Sequence, residues 1–375
     1  MSLNKNQTDF PSTAQKSIWH TSQFMSPFYG TTPPGIENNK TGDFERGEKD
    51  FYEFMIVLYL DMYNNPAKYY IPTDDYDKYM KGRKREELPH KNDSRECFLR
   101  NKFQHSIKFY QDFLYEIGKN GNLDSSNFII TENKFSEIIK KLKVHKKVEE
   151  SDYCINALKS IGFNYKKSNK KLFFFNVDYP MMFFGLSALS KSKNTKYGYA
   201  CFLLCDYRGL LDSFEFKFND TVLILNEKYK KIALEINELM RQIDTKLKIK
   251  PLRNTLLNSY WKLQYTKNGK AVCSIHIDID RMNAFLNFNS VENISNMGYL
   301  LNKRSGELFN WFYDHIRTME CSCKNNRNVD IGGRRKRICG LMNRVEIYNP
   351  TIFDLEKMKN ILKIYHLGTL KYGNS

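Results

Sequence analysis

No apolar stretch of this 375-residue chain is both long and unbroken. The most apolar one, Leu172 to Leu189, is interrupted by Asn176, Asp178 and Pro180, so it falls short of the roughly 20 apolar residues a membrane-spanning helix needs. The first 17 residues have no apolar core of the kind a secretory signal carries. Neither secretion nor membrane spanning is expected, and the expected location is the cytoplasm. Also missing are the Walker loop, the dinucleotide-binding glycine fingerprint, the nucleophile elbow and the His-Glu-x-x-His zinc helix. Their absence removes support from the familiar nucleotide-dependent and hydrolytic enzymes, and nothing calls for a cofactor. Cysteine is sparse, eight residues mostly inside apolar runs, and a chain this long folds without staples, so they read as reduced thiols. No segment repeats.

What the chain has in abundance is positive charge. Lys and Arg number 59 against 42 Asp and Glu, a net +17. The surplus is concentrated. Positions 78 to 102 hold nine bases and four acids, positions 133 to 171 eleven lysines and four acids, and positions 324 to 337 six bases and one acid. These segments account for the whole net charge, so the basicity is patchy, and cationic patches attract anionic partners such as nucleic-acid phosphates. With 41% hydrophobic residues and a length above that of one ordinary domain, at least two buried cores are expected.

Residues 1–48 are rich in Ser, Thr, Asn, Gly and Pro without a sustained period, which predicts a mobile arm, although Trp19, Phe24, Phe28 and Tyr29 argue that part of it docks. A helical and winged-helix-like domain is expected over 49–220. It opens with an apolar helix from Asp50, stopped at Asn64-Asn65-Pro66. Ile107, Tyr110, Phe113, Leu114 and Ile117 share one face of a second helix. After the short apolar Phe128-Ile129-Ile130, Thr131 is placed to cap a helix with Phe135, Ile138, Ile139 and Leu142 inward. Ser151 starts another, ended by Gly162, and strands at Phe163–Lys167 and Lys171–Val177 flank the turn Ser168-Asn169-Lys170. Helix, short strand, helix, helix and hairpin is an order of elements that resembles a winged-helix domain, over about 103–177, in layout and not in any motif. That resemblance implies nucleic-acid contact through the last helix or the hairpin. A helix then follows Asp178-Tyr179-Pro180, and strands are expected at Tyr197–Cys205 and Ser213–Phe218.

A C-terminal α+β domain is expected over 221–375. Tyr229, Ile232, Ala233, Ile236, Leu239, Met240 and Ile243 mark an amphipathic helix. Asn268-Gly269 joins two strands as a hairpin, and Ala284–Phe288 and Arg344–Ile347 supply others. Thr351 and Asp354 begin the last helix. Helices against an antiparallel sheet make the fold class α+β.

The cationic candidates are Lys166, Lys167, Lys170 and Lys171 on the first hairpin, beside Lys134, Lys140, Lys141, Lys143, Lys146 and Lys147, and Arg334, Arg335, Lys336 and Arg337 after Gly332-Gly333. The hairpin lysines suit phosphates, or simply a solvated face. Glu149, Glu150 and Asp152 at the start of the following helix oppose base-specific readout. The four consecutive cations alternate faces on a strand, which suits either a shared anion or a charged edge that resists aggregation. Cys321, Cys323 and Cys339, with His315 or His366, have the right atoms for zinc but not a standard spacing, and read as ordinary thiols. His276, Asp278 and Asp280 lie on one face of a predicted strand, the geometry of a divalent-metal face or of the wet side of a sheet; no metal is assigned. Asp206 and Arg208 suit a pocket mouth or a local turn pair. The expected function is non-enzymatic binding of nucleic acid or another polyanion through the basic patches. The alternative is a small-molecule sensor or metal-assisted enzyme with its pocket near His276 and the Cys321–Cys339 loop.

Overall fold

A computed structural model describes residues 9–30, 42–81, 94–124, 127–146, 151–251, 261–278, 281–317, 325–339 and 343–372. The chain divides into two compact units, one drawn from residues up to 82 and from 94 to 215, the other running from Phe216. Both combine helices with antiparallel strands, and the protein is α+β.

The first unit opens with α1 (Thr13–Met25), inside the stretch expected to be an arm. Its polar composition hides the helical spacing of Ala14, Ile18 and Met25, all buried, and the Ser12 hydroxyl caps it by accepting from the Gln15 N–H at 3.1 Å. Helix α2 (Gly42–Asn64) carries Phe51, Phe54, Met55 and Leu58 into the core and stops before Pro66, as the sequence predicts. A short α3 (Asp74–Met80) and the long α4 (Ser94–Asn120) follow, the latter burying Tyr110, Phe113, Leu114 and Ile117 on one face.

A small sheet is then built around two helices. After β1 (Asn122–Asp124) and β2 (Asn127–Thr131) come α5 (Glu132–Lys146), α6 (Ser151–Lys159), β3 (Asn164–Ser168) and β4 (Lys171–Phe175), with sheet order β1-β2-β4-β3, all antiparallel. Thr131 caps α5 as expected, its hydroxyl accepting from the Lys134 N–H at 3.3 Å. The β3–β4 turn is made by Asn169 and Lys170 at φ 47° and 59°, the paired left-handed residues of a two-residue hairpin loop. Phe128, Ile130, Leu172 and Phe174 face the core.

Helix α7 (Met182–Ser190) closes the core by crossing α2 at backbone contact. A Cβ on Gly185 would stand 2.3 Å from the Gly47 carbonyl oxygen and 2.3 Å from the Tyr207 hydroxyl, so neither glycine has room for a side chain. Asp50 on α2 also accepts the Met181 N–H at 2.9 Å, satisfying an otherwise orphaned donor at the start of α7.

Two expected strands are absent. Tyr197–Cys205 forms α8 (Gly198–Leu204), because a continuous apolar run of this length buries equally well as a short helix, ended here by Cys205 at φ 51°. Ser213–Phe218 pairs with no strand; the Asn194 side-chain amide takes the Leu211 and Phe214 carbonyls at 3.2 and 2.9 Å, which supplies locally what a ladder would.

In the second unit, α9 (Phe218–Val222) and α10 (Glu227–Gln242) precede β5 (Lys246–Pro251), β6 (Trp261–Lys267), β7 (Lys270–Asp278) and β8 (Arg281–Asn287). Then come α11 (Val291–Arg304), α12 (Gly306–His315), the separate hairpin of β9 (Asn326–Ile331) and β10 (Arg334–Cys339), β11 (Arg344–Tyr348) and α13 (Ile352–Tyr372). The main sheet has the order β11-β8-β7-β6-β5, all antiparallel. Asn268 and Gly269, at φ 50° and 75°, make the β6–β7 turn the sequence predicts, and a reciprocal Thr351–Asp354 capping box starts α13. One sheet face is apolar: Trp261, Leu263, Tyr265, Cys273, Ile275, Ile277, Met282, Ala284, Leu286, Val345 and Ile347 are all buried. Helices α10 and α13 cover it, with the Tyr265 hydroxyl donating to Asn237 at 3.0 Å and Phe288 packing on Tyr365.

Gly185→Ala is expected to lower the unfolding free energy by about 3 kcal/mol, the cost of overpacking a site bounded by backbone. Gly306→Ala, where nothing lies within 4 Å of the added methyl, is expected to change it little. Denaturant unfolding followed by circular dichroism compares the two.

Candidate anion-binding surfaces

The first surface is the β3–β4 hairpin and the outer face of its sheet. The register sets Lys166 opposite Phe173, Ser168 opposite Lys171 and Asn164 opposite Phe175, so these residues share the face turned away from the core, together with Ile129 of β2. Phe175 is exposed, Phe173 and Ile129 are half-buried, and Val177 just beyond is exposed. The Lys166 ammonium lies 5.5 Å from the centre of the Phe175 ring. Lys166, Lys167, Lys170 and Lys171 are all exposed, but they are not equivalent. Lys167 points to the other face and pairs with Glu132, whereas Lys170 and Lys171 have no ion-pair partner among the described residues. On α5, Lys134 pairs with Glu137 at 3.0 Å and Lys141 with Glu116 at 2.7 Å, while Lys140 is exposed and unpaired. The side chains of Lys143 and Lys146, and all of Lys147, Glu149 and Glu150, lie outside the described residues.

The second surface is the β9–β10 hairpin. Its turn rests on α11, where Gly298 and Gly332 approach so closely that a Cβ on Gly332 would meet the Gly298 oxygen at 2.8 Å. The Asn302 amide donates to the Gly332 carbonyl at 2.9 Å. Strand alternation divides the four consecutive cations in two. Arg334 lies over Phe309 at 5.1 Å, and Lys336 lies over Tyr313 at 4.6 Å and donates to the Tyr313 carbonyl. Burial pushes the Lys336 ammonium down to about 8. Arg335 and Arg337 face the other way, exposed, opposite Asp330 and Asn328.

The third surface is the polar face of the five-stranded sheet, where His276 sits. Two rows cross it. Lys250, Lys262, His276, Asn283 and Tyr348 are successive cross-strand partners, and so are Lys248, Gln264, Ser274, Phe285 and Glu346. The His276 ring packs 4.6 Å from Phe285, and the Arg344 guanidinium lies 4.8 Å from the same ring. Glu346 is buried between Arg317 at 2.7 Å and Arg344 at 2.6 Å and accepts the Tyr348 hydroxyl. Burial pushes its carboxyl up, but Arg344, Tyr348 and Arg317 together overcome that and leave it below the usual carboxylate range. Burial lowers Lys262, and the nearby Arg344 and Lys250 charges lower it further. Burial, with Lys262 and Arg344, drops His276 to about 4 against a partial offset from Glu346. The described surroundings of His276 are therefore cationic, which favours an anion over a divalent metal. The Asp278 side chain and Asp280 lie outside the described residues.

Cys321 and Cys323 and the Cys339 side chain also lie outside them. The His315 Nδ1 is 2.8 Å from the Trp311 carbonyl, and burial drops His366 to about 4. Among the described residues no His, Cys, Asp and Glu gather with metal-binding geometry, and no helix is long and apolar enough to cross a membrane. Asp206 is fully buried and its carboxylate takes the Arg208 side chain at 3.0 and 2.9 Å, a two-point pair that pins the local turn.

Compared with family models, curated proteins and solved structures, the chain matches none. Sequence reasoning reached the hairpin lysines and His276 but missed Lys262, Phe285, Arg317, Arg344 and Glu346. The one signal for Lys262, Phe285, Arg344 and Glu346 was the apolar–polar alternation along β6, β8 and β11; Arg317, just after α12, lies on none of these strands.

Glu346→Gln is expected to cost about 3 kcal/mol of stability, because it leaves two neighbouring guanidinium groups without the carboxylate between them; urea denaturation at neutral pH reads it. His276 is neutral in the fold down to about pH 4, whereas in the unfolded chain it takes up a proton near its ordinary value of 6.5. Its contribution to stability is accordingly present above that value and lost as the pH falls towards 4. His366 acts with the same sign. Unfolding curves measured from pH 7 to pH 4 should therefore fall less steeply in His276→Asn than in the native protein, without becoming flat.

Proposed function

We propose that this is a non-enzymatic nucleic-acid-binding protein of the cytoplasm, whose first unit has a winged-helix-like arrangement and binds through the β3–β4 hairpin and the outer face of its sheet. The observation that carries this is the outer face itself: Lys166 is the cross-strand partner of Phe173, and Lys171 and Phe175 lie on the same face two residues to either side of Phe173 on β4. Cations beside accessible aromatic rings combine the two elements of sequence-tolerant binding, phosphate neutralisation and base stacking. The order β2-β4-β3, with α5 and α6 inserted between β2 and the hairpin, supports the winged-helix comparison. The buried free thiols of Cys201, Cys205 and Cys273 support a reducing compartment. Arg335 and Arg337 on the second unit provide a further outward pair of cations suited to phosphates.

Fluorescence anisotropy with labelled single-stranded and duplex oligonucleotides tests the proposal. Binding should weaken steeply with salt, and Lys166→Ala, Lys170→Ala and Lys171→Ala combined should lower the slope of log affinity against log salt by about 2 to 3, equally for all sequences. Phe173→Ala with Phe175→Ala should weaken single-stranded binding more than duplex binding. Absence of binding at low salt, or a triple lysine variant that binds as the native protein does, would overturn it.

A further inference from the structure

The polar face of the five-stranded sheet has charges that the nucleic-acid reading does not use. Antiparallel register sets Lys250 directly opposite Lys262, a like-charge pair that is unfavourable when nothing lies between. Lys250 is exposed at the sheet edge, but Lys262 is half-buried on an interior strand and has no hydrogen-bond or ion-pair partner among the described residues. Arg344 approaches from the other side, fixed on Phe285 and on Glu346. Glu346 makes no hydrogen bond or ion pair with Lys262; its bonds go to Arg317, Arg344 and Tyr348. Around these cations stand two side-chain amides, Gln264 and Asn283, likewise without hydrogen-bond partners among the described residues, and the His276 ring. Holding half-buried cations together is costly unless an anion completes the set.

We propose that this face is a binding site for a small anionic ligand bearing a carboxylate or phosphate group, which Lys262 and Arg344 hold from opposite sides with Lys250, Gln264 and Asn283 at its rim. Arg344 offers planar N–H donors and Lys262 a point charge, a combination suited to either oxyanion. Adjacent strands lie about 4.8 Å apart, so the distance from β6 to β11 is about 14 Å at the backbone. The long Lys and Arg side chains reach inward across much of that span, leaving room for one oxyanion group rather than a run of them. His276 is the direct cross-strand partner of Lys262, and the charges of both Lys262 and Arg344 reach its ring, where a bound anion would offset them. The site belongs to the second unit alone and does not depend on the β3–β4 hairpin.

Thermal unfolding of the full chain, with inorganic phosphate and with citrate against sodium chloride at matched ionic strength, reads binding directly. At about a hundredfold excess over the dissociation constant, the expected rise in Tm is about 5 °C or more, and it should saturate. Lys262→Gln removes one charge of a repelling pair, so the variant is expected to be as stable as the native protein or more so without ligand, and to bind phosphate or citrate at least tenfold more weakly. The triple hairpin variant should keep the full ligand response, and Lys262→Gln should keep full oligonucleotide binding, which separates failure of this site from failure of the nucleic-acid reading. No saturable rise with either anion, or an unchanged rise in Lys262→Gln, would overturn the proposal. So would weakened oligonucleotide binding in Lys262→Gln, which would identify the anion as the nucleic-acid backbone.

Discussion

Successive residues of a strand point to opposite faces, so burying one face of a sheet determines which residues the other face displays. Both sheets with a candidate site obey this constraint. In the first unit, Phe128, Ile130, Leu172 and Phe174 fix the inner face, and that leaves Lys166, Lys171, Phe173 and Phe175 outside. In the second, the apolar series from Trp261 through Ile347 seals the helix side and leaves Lys262, His276, Phe285 and Glu346 on the other. A slip of one residue in either register would bury lysines and expose the core. The positions of the cations are therefore secured by apolar side chains that touch no ligand.

The same alternation limits how far charge counting can be trusted. Four cations in a row at Arg334–Arg337 look like one patch in sequence, yet they divide between two faces: Arg334 and Lys336 lie over the rings of Phe309 and Tyr313, with Arg334 still exposed and Lys336 half-buried, while Arg335 and Arg337 are exposed on the other face. On the first hairpin, Lys167 is likewise tied to Glu132. Two of the four cations of the second patch make ring contacts that hold the hairpin onto α12.

Elements with a helical period and a definite cap were legible from sequence: Thr131 before α5, the apolar face of α10, Asn268-Gly269 between β6 and β7, and Thr351–Asp354 before α13. Tyr197–Cys205 was not, because an unbroken apolar run carries no period to separate helix from strand. Helix α1 was hidden by the Ser, Thr and Gln residues between its few apolar ones. The hairpin lysines could be read because they are neighbours in the chain. The group around His276 could not, since Lys250, Lys262, Asn283 and Arg344 come from four different strands and only the register brings them together. Residues 250 and 344 are nearly a hundred positions apart, beyond any local pattern.

The contact between Gly47 and Gly185 also bears on how the chain is made. The two glycines are separated by 138 positions, and the core of the first unit cannot close until α7 is available to meet α2. At ribosomal speeds of about 5 to 20 residues per second, α2 emerges on the order of ten seconds before its partner. Over a comparable interval Phe51 and Phe54 wait for the rings they pack on, Phe163, Tyr179 and Phe202, so newly made chains pass through a stage in which a chaperone has an apolar helix face to hold.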